Sequence, residues 1–159
     1  MRFINLANNK GTAIVDDEDF EMLSNYSWRI LKSLKSRISY AATMRKRHNI
    51  LMHRLILGLK HGDKTEGDHW NGNGLDNRKC NLRSCTQKQN LANSAPHYYK
   101  TYKGIKYDDR NSRRKWTAKI FINGKSHYLG AYINKNDAID AYDNAKLKHF
   151  GQFARLNSI

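Results

Sequence analysis

The sequence predicts an α+β fold made of two small units. Short strand-like runs and short helical segments follow one another along the whole chain. Only 39% of the 159 residues are hydrophobic, which suits modest cores. The one proline, Pro96, separates two such regions. We therefore predict a domain over 1–93, a linker over 94–101 and a second domain over 102–159.

Residues 1–57 are predicted to form a small mixed α/β element. FINLANNKGTAIVDD suggests two strands around an Asn-Lys-Gly turn, and DDEDFEMLSNY suggests a helix with acidic residues at its N-terminus. YSWRIL and SYAATM suggest two more strands, separated by KSLKSR, and ILMHRLILGL suggests a buried helix. His53 in that helix could be a ligand, although a structural role is favoured. Arg54 contacts a phosphate in one interpretation and is a surface or capping arginine in the other.

Residues 66–93 predict a strand, a long loop, a returning strand and a helix. GDHW ends the first strand, NGNG suits a tight turn, and CNLRSC is the returning strand. Thr86 and Gln89 have the spacing of a capping box at the start of TQKQNLAN. The predicted hairpin and helix thus surround an unusually asparagine-rich loop.

Residues 102–157 predict three strands and a helix. YKGIKYDD, RKWTAKIFIN and KSHYLGAY are strand-like, and Asn123-Gly124 is a strong hairpin turn. The helix follows in NKNDAIDAYDNAKLKHFG, with Asn134 or Asn136 as N-cap and Gly151 as its stop. Its apolar stripe is assigned to a packed core and consists of Ala138, Ala141, Tyr142 and Ala145.

The charge of the chain indicates a polyanionic partner. Lys and Arg number 29 against 14 Asp and Glu, giving a net charge of +15 that both predicted domains share. Basic residues are interleaved with Trp and Tyr, which favours nucleic acid over a merely solubilising surface. We find no membrane-spanning run and no signal peptide. Cys80 and Cys85 lack the spacing of a zinc site, so we expect reduced thiols, no structural zinc and a cytoplasmic location.

Four side chains of the central segment have the chemistry of phosphodiester hydrolysis. The predicted hairpin and helix can bring Asp68, His69, Asn81 and Asn90 to one point. Carboxylate and amide oxygens are ligands for Mg²⁺ or Mn²⁺. An imidazole can take a proton from water near neutral pH, and another amide oxygen can hold its second nitrogen. These parts suffice for metal-assisted hydrolysis. An inactive relic or a polar structural cluster is the alternative.

This segment resembles the HNH, or ββα-metal, nucleases, especially the phage and intron-encoded homing endonucleases. The resemblance rests on DH…N…N, LDNRKCNLR, TQKQNLAN and the upstream MHRLILGL. It implies that His69 is the general base, that Asn81 orients it, and that Asp68 and Asn90 hold one Mg²⁺ or Mn²⁺ ion. Asn90 stands where many relatives have His, which implies weaker metal binding. Further residues could hold phosphates or be merely solvated: Arg78, Lys79 and Arg83.

The last unit resembles the DNA-binding domain of plant ethylene-response factors, of the Apetala type. The match runs through GI, WTAKI, YLGAY, AIDAYD and GQFARLN, and implies a three-stranded sheet in the major groove. The residues that would face DNA are Lys106, Arg113, Arg114, Trp116, Lys119 and Tyr128. Trp116 could instead belong to the core. Asp108 and Asp109 stand near positions where the plant domain has arginines, which leaves the base preference open.

Together these observations predict a sequence-directed, divalent-metal-dependent endonuclease that nicks double-stranded DNA. We expect a homing enzyme that acts as a monomer on DNA, in the cytosol of a bacterial host if a phage encodes it. Two alternatives stay open. One is a DNA-binding regulator with an idle nuclease centre, and the other is a weakly specific HNH nuclease of restriction or packaging.

Overall fold

A computed structural model describes residues 1–7, 11–32, 38–95, 102–110, 113 and 115–157 of the chain. It divides into two compact units, Met1–Leu91 and Ala92–Ile159. The predicted KSLKSR connection lies mostly outside the described residues, as do residues 96–101 of the predicted linker. The architecture is mixed α and β, with small antiparallel sheets.

The first unit begins with an antiparallel hairpin, a short helix and a three-stranded sheet. The elements are β1 (Arg2–Asn5), β2 (Thr12–Val15), α1 (Asp17–Ser24), β3 (Arg29–Lys32), β4 (Ser39–Arg45), β5 (His48–Leu51) and α2 (Met52–Ile56). The strand order in the sheet is β3-β4-β5. The predicted strands and the acidic start of α1 are confirmed. The core packs side chains from most of these elements, around Trp28, whose indole N–H donates to the carbonyl of Leu23 at 2.8 Å.

The predicted helix over ILMHRLILGL is only partly right. Residues 48–51 extend the sheet as β5, and the helix α2 has only five residues. β5 pairs with β4 across a turn at Lys46 and Arg47, which both have positive φ. Sequence pattern cannot separate a short apolar strand from a buried helical turn. Here residues 48–51 form a strand because they pair with β4.

The remainder of the first unit is a two-stranded ribbon followed by a helix. β6 (Glu66–His69) pairs antiparallel with β7 (Leu82–Cys85), and α3 (Gln87–Asn93) follows. The capping box is confirmed: the Gln89 backbone N–H donates to the Thr86 hydroxyl at 3.3 Å, and the Thr86 N–H donates to the Gln89 side chain at 2.8 Å. This cap fixes where α3 starts relative to β7.

The second unit is an antiparallel sheet covered on one face by a helix. Its elements are β8 (Ile105–Tyr107), β9 (Trp116–Ile122), β10 (Lys125–Tyr132) and α4 (Lys135–Phe150), with strand order β10-β9-β8. The Asn123-Gly124 turn is confirmed, with positive φ at both residues. The predicted helix start at Asn134 and stop at Gly151 are also confirmed. Ala138 and Tyr142 are buried against the sheet, as their helical spacing predicts.

No helix within the described parts of the chain is long and apolar enough to cross a membrane.

Candidate active site

Two predicted site residues end the first strand of the ribbon. Asp68 and His69 are the last residues of β6 and pair with Arg83 and Leu82 of β7. Both are only 5% exposed. The two are neighbours at the end of β6, and the Asp68 carboxylate is close enough to the imidazole to oppose the lowering of the His69 pKa. The meeting of Asp68, His69 and Asn90 at one point stays a prediction, and the fourth side chain, Asn81, is bonded within the following loop.

The imidazole of His69 is held by Asn77. Its Nε2 lies 3.2 Å from the amide oxygen of Asn77, a side chain that is fully buried. Asn77 is itself fixed by β2: its N–H donates to the carbonyl of Ile14 at 2.7 Å, and the Ile14 N–H donates to the carbonyl of Leu75 at 2.8 Å. The N-terminal hairpin thus positions the residue that contacts the histidine.

Asn81 stabilises the corner that follows His69 instead of contacting its ring. The carbonyl of Asn81 accepts the Trp70 N–H and its side-chain oxygen accepts the Asn71 N–H, each at 2.9 Å. Its amide nitrogen donates to the carbonyl of Asp76 at 2.7 Å. Both ends of the amide are therefore engaged in the loop. The predicted orienting role of Asn81 is corrected: Asn77 makes that contact.

A second histidine packs against His69. The rings of His53 and His69 meet edge to face with centroids 4.7 Å apart, and the ring of Tyr40 contacts both. The His53 ring packs against the backbone of Gly67. A Cβ atom added at residue 67 would stand only 2.6 Å from Cδ2 of His53. Gly67 thus leaves the space that the His53 ring fills, and the structural role favoured for His53 stays a prediction.

Burial governs the protonation of both histidines. It lowers the pKa of His53 to about 3, with the charges of His69 and Arg54 acting in the same direction. It also lowers the pKa of His69, although the hydrogen bond to Asn77 and the carboxylates of Asp68 and Asp76 oppose this. Both rings are therefore favoured in the neutral form, which a general base requires.

Side chains with carboxylate and amide oxygens surround Asp68 on β6 and α3. Asp68 accepts from Arg83, whose Nε lies 2.8 Å from Oδ2. Asn90 on α3 donates its amide nitrogen to Glu66 at 2.6 Å. Since Glu66 and Asp68 are two apart on β6, they share the face on which α3 lies. Because the Asn90 amide nitrogen points to Glu66, the side-chain oxygen of Asn90 points away from Glu66. These hard oxygen donors fit Mg²⁺ or Mn²⁺. No cluster of three or more His, Cys, Asp and Glu with metal-binding geometry occurs among the residues described.

The basic residues near the ribbon are held within the protein. Arg54 donates to the backbone carbonyls of Lys60 and Thr65, at 2.7 and 3.0 Å, so the structure gives it the loop-capping role. Arg78 forms a two-fold ion pair with Asp76, which raises the pKa of its guanidinium. Lys79 lies 2.6 Å from Glu18 at the start of α1. Arg83 likewise forms an ion pair with Asp68. These ion pairs neutralise much of the positive charge that was predicted to hold phosphates.

The sheet of the second unit exposes a polar face opposite α4. Its register places Lys106, Lys119 and Tyr128 on this face, and Phe121 lies there as well. Lys106, Lys119 and Tyr128 line a shallow depression of about 510 Å³. Arg113 is exposed in the connection between β8 and β9, while Arg114 lies outside the described residues.

Trp116 is on the other face of the same sheet. It alternates with Ala118 and Ile120, which are buried, and its ring packs edge-on against Tyr107 with centroids 5.0 Å apart. The prediction that Trp116 faces DNA with Lys119 is therefore corrected: Trp116 is half-buried on the other face of the sheet, with Ala118 and Ile120. Strand alternation from Lys119 would have placed it there.

Sequence reasoning missed Asn77 and Glu66. Asn77 was one of many asparagines in its segment, and nothing local separated it from Asn81. Glu66 could have been found, because it stands two residues before Asp68 on a predicted strand and so shares its face.

The chain is similar to a viral protein named as an HNH endonuclease. This uncharacterized HNH endonuclease of Acanthamoeba polyphaga mimivirus is 29% identical over 158 residues, which cover 99% of this chain and 81% of the viral protein. No family model and no solved structure gives a significant match. The similarity spans both units, and it supports a relationship of this chain to the HNH nucleases.

Proposed function

We propose that this protein is a divalent-metal-dependent endonuclease that cuts double-stranded DNA at sites selected by its second unit. The observation that carries the proposal is a ribbon and helix that hold a buried histidine bonded to Asn77 together with the side-chain oxygens of Asp68 and Asn90. The similarity to the viral HNH endonuclease supports the reaction class.

His69 is the proposed general base. When the Asn77 oxygen accepts a hydrogen from Nε2, the lone pair of the neutral ring is on Nδ1. Nδ1 then takes the proton of the attacking water, and the Asn77 oxygen stabilises the ring as it becomes positive. Tyr40 and His53 pack the ring so that it cannot turn freely. Positioning the base in this way removes part of the entropic barrier.

Asp68 and Asn90 are the proposed protein ligands of the cation. A divalent cation held there would supply stabilisation of the negative charge that develops on the phosphate oxygens. Glu66 orients the Asn90 amide, and Arg83 orients the Asp68 carboxylate. Two protein oxygens would suit Mg²⁺, which is usually held by one or two protein side chains.

The second unit is the proposed reader of the DNA site. Its exposed sheet face offers Lys106, Lys119 and Tyr128 beside Thr117 and Phe121. A three-stranded sheet of this kind can enter a major groove, where base edges are distinguishable. Lys106 and Lys119 would contact phosphates, and the long target that two units can cover suits a homing enzyme.

One chain is expected to nick one strand, because the described residues hold a single set of Asp68, His69 and Asn90 and each broken bond needs one site. Supercoiled plasmid incubated with Mg²⁺ or Mn²⁺ should become open circle before any linear DNA forms. On a short duplex labelled on either strand, only one label should be cut. Simultaneous loss of both labels at limiting enzyme would show paired active sites and reject the monomeric nickase.

A DNA-binding regulator with an idle centre is the second candidate, and the pairing of Asp68 with Arg83 is the observation that favours it. The same plasmid assay separates the two functions. His69→Ala should reduce nicking on the order of 10²- to 10⁴-fold while leaving DNA affinity nearly unchanged. If the wild-type protein binds DNA but does not nick it with either Mg²⁺ or Mn²⁺, the protein is the regulator.

A further inference from the structure

An exposed tryptophan stands at the corner directly after the histidine. Trp70 is 64% exposed. It is the second residue of a turn that begins at His69 and is closed by the Gly72 N–H, which donates to the His69 carbonyl at 2.9 Å. A single exposed apolar residue is ordinary on a protein surface. What distinguishes Trp70 is the rigidity and location of its backbone.

The backbone of this corner is fixed on both sides. Asn81 accepts the N–H groups of Trp70 and Asn71 through its two oxygens, each at 2.9 Å. The Asn71 side chain donates to Asp76 at 3.0 Å and accepts the N–H of Asn73 at 2.8 Å. Asp76 is in turn held by Arg78. Because the backbone of this corner is already fixed, a partner can cover the indole without ordering further backbone.

We propose that Trp70 contacts the substrate by packing its indole on the base or sugar of a nucleotide beside the scissile phosphate. The inference rests on the proposed nuclease function, because it is that function which brings a DNA strand to His69. A chain with a net charge of +15 draws in a polyanion, and the flat apolar surfaces of that polyanion are its bases and sugars. Base–aromatic stacking does not depend on base identity, so Trp70 adds affinity and register without choosing the sequence.

Fluorescence can report this contact independently of cleavage. Trp28 is only 1% exposed and stays in the core, so in a Trp116→Phe background Trp70 is the solvent-accessible indole. We expect a short mixed-sequence duplex, added in EDTA, to quench this emission and to protect it from acrylamide. Trp70→Phe in the same background should remove the DNA-dependent change. If acrylamide reaches Trp70 equally well with and without saturating duplex, the contact does not exist.

Cleavage kinetics then give the size of the effect. Trp70→Ala should lower kcat/KM on plasmid by about 5- to 150-fold, and Trp70→Phe should recover most of this loss. Met44→Ala is the matched control, since Met44 is 62% exposed in the same unit; its kcat/KM should not change. An equal effect of Met44→Ala, or no effect of Trp70→Ala, would overturn the proposal. Quenching of Trp70 in a protein that never nicks DNA would instead reject the nuclease function and leave the contact standing.

Discussion

The amide oxygen of Asn77 lies 3.2 Å from Nε2 of His69, although the two residues are eight positions apart in the sequence. The contact depends on the N-terminal hairpin, because Asn77 is bonded through its backbone to Ile14 of β2. The first fifteen residues therefore act on the proposed general base through a single buried amide. This relationship links the fold of the first unit to its chemistry and leads to the first prediction.

Asn77→Ala should slow nicking by about 10- to 100-fold at saturating DNA, since the base remains but its orientation is lost. DNA affinity measured in EDTA should stay within about two-fold of the wild type, as expected when only a transition-state contact is removed. Asn73→Ala is the control, because Asn73 lies in the same loop and its side chain bonds only the Leu75 backbone among the contacts described. Equal losses in both variants would mean that loop integrity, and not the contact with His69, is what matters.

Glu66→Gln should raise the Mg²⁺ or Mn²⁺ concentration needed for half-maximal nicking by about 10- to 100-fold. The reason is the 2.6 Å hydrogen bond by which the Glu66 carboxylate fixes the Asn90 amide. Asp68→Ala and Asn90→Ala should shift the same titration further. If the metal requirement of all three variants matches that of the wild type, the cation is bound elsewhere.

Lys119→Ala and Lys106→Ala should each reduce the slope of log affinity against log salt by about 0.9, because each removes one phosphate contact. Lys148→Ala is the matched control: Lys148 is equally basic and exposed, but it lies on α4, which covers the other face of the sheet. The slope can be measured by fluorescence anisotropy of a labelled duplex. Equal slopes for the Lys119 and Lys148 variants would place the DNA on another surface.

The second unit should become more stable as pH rises from about 8 to about 10. Burial lowers the pKa of both Lys103 and Lys146 to about 8, against 10.5 in the unfolded chain. Below pH 8 both states carry the protons and the folded state bears the full cost of the buried charges. Above it, the folded state releases protons first and gains stability, on the order of 1–3 kcal/mol.

Urea unfolding of the full chain at about pH 7.5 and about pH 9.5 measures this gain. Lys146→Met should remove much of the pH dependence, while Lys125→Met, at an exposed position of β10, should preserve it. The upper limit avoids the range in which Tyr142, whose pKa burial raises to about 12, would begin to favour unfolding. A urea midpoint that is lower at about pH 9.5 than at about pH 7.5 would contradict the assignment.

The sequence by itself determined the features that depend on neighbours along the chain. The capping box of Thr86 and Gln89, the Asn123-Gly124 turn and the start and stop of α4 were all predictable, because each is a local hydrogen bond or a backbone preference. Asp68 and His69 were also placed correctly at the end of a strand, since alternation and turn residues mark that end.

Only the tertiary structure decided which side chains meet. Asn77 and Asn81 are chemically identical and four residues apart, and the docking of residues 75–77 on β2 is what brings Asn77 to the His69 ring and leaves Asn81 in the turn. In the same way, Arg83 is paired with Asp68 because the ribbon register sets them opposite each other. Such contacts depend on segments distant in sequence, and a local pattern contains no information about register or docking.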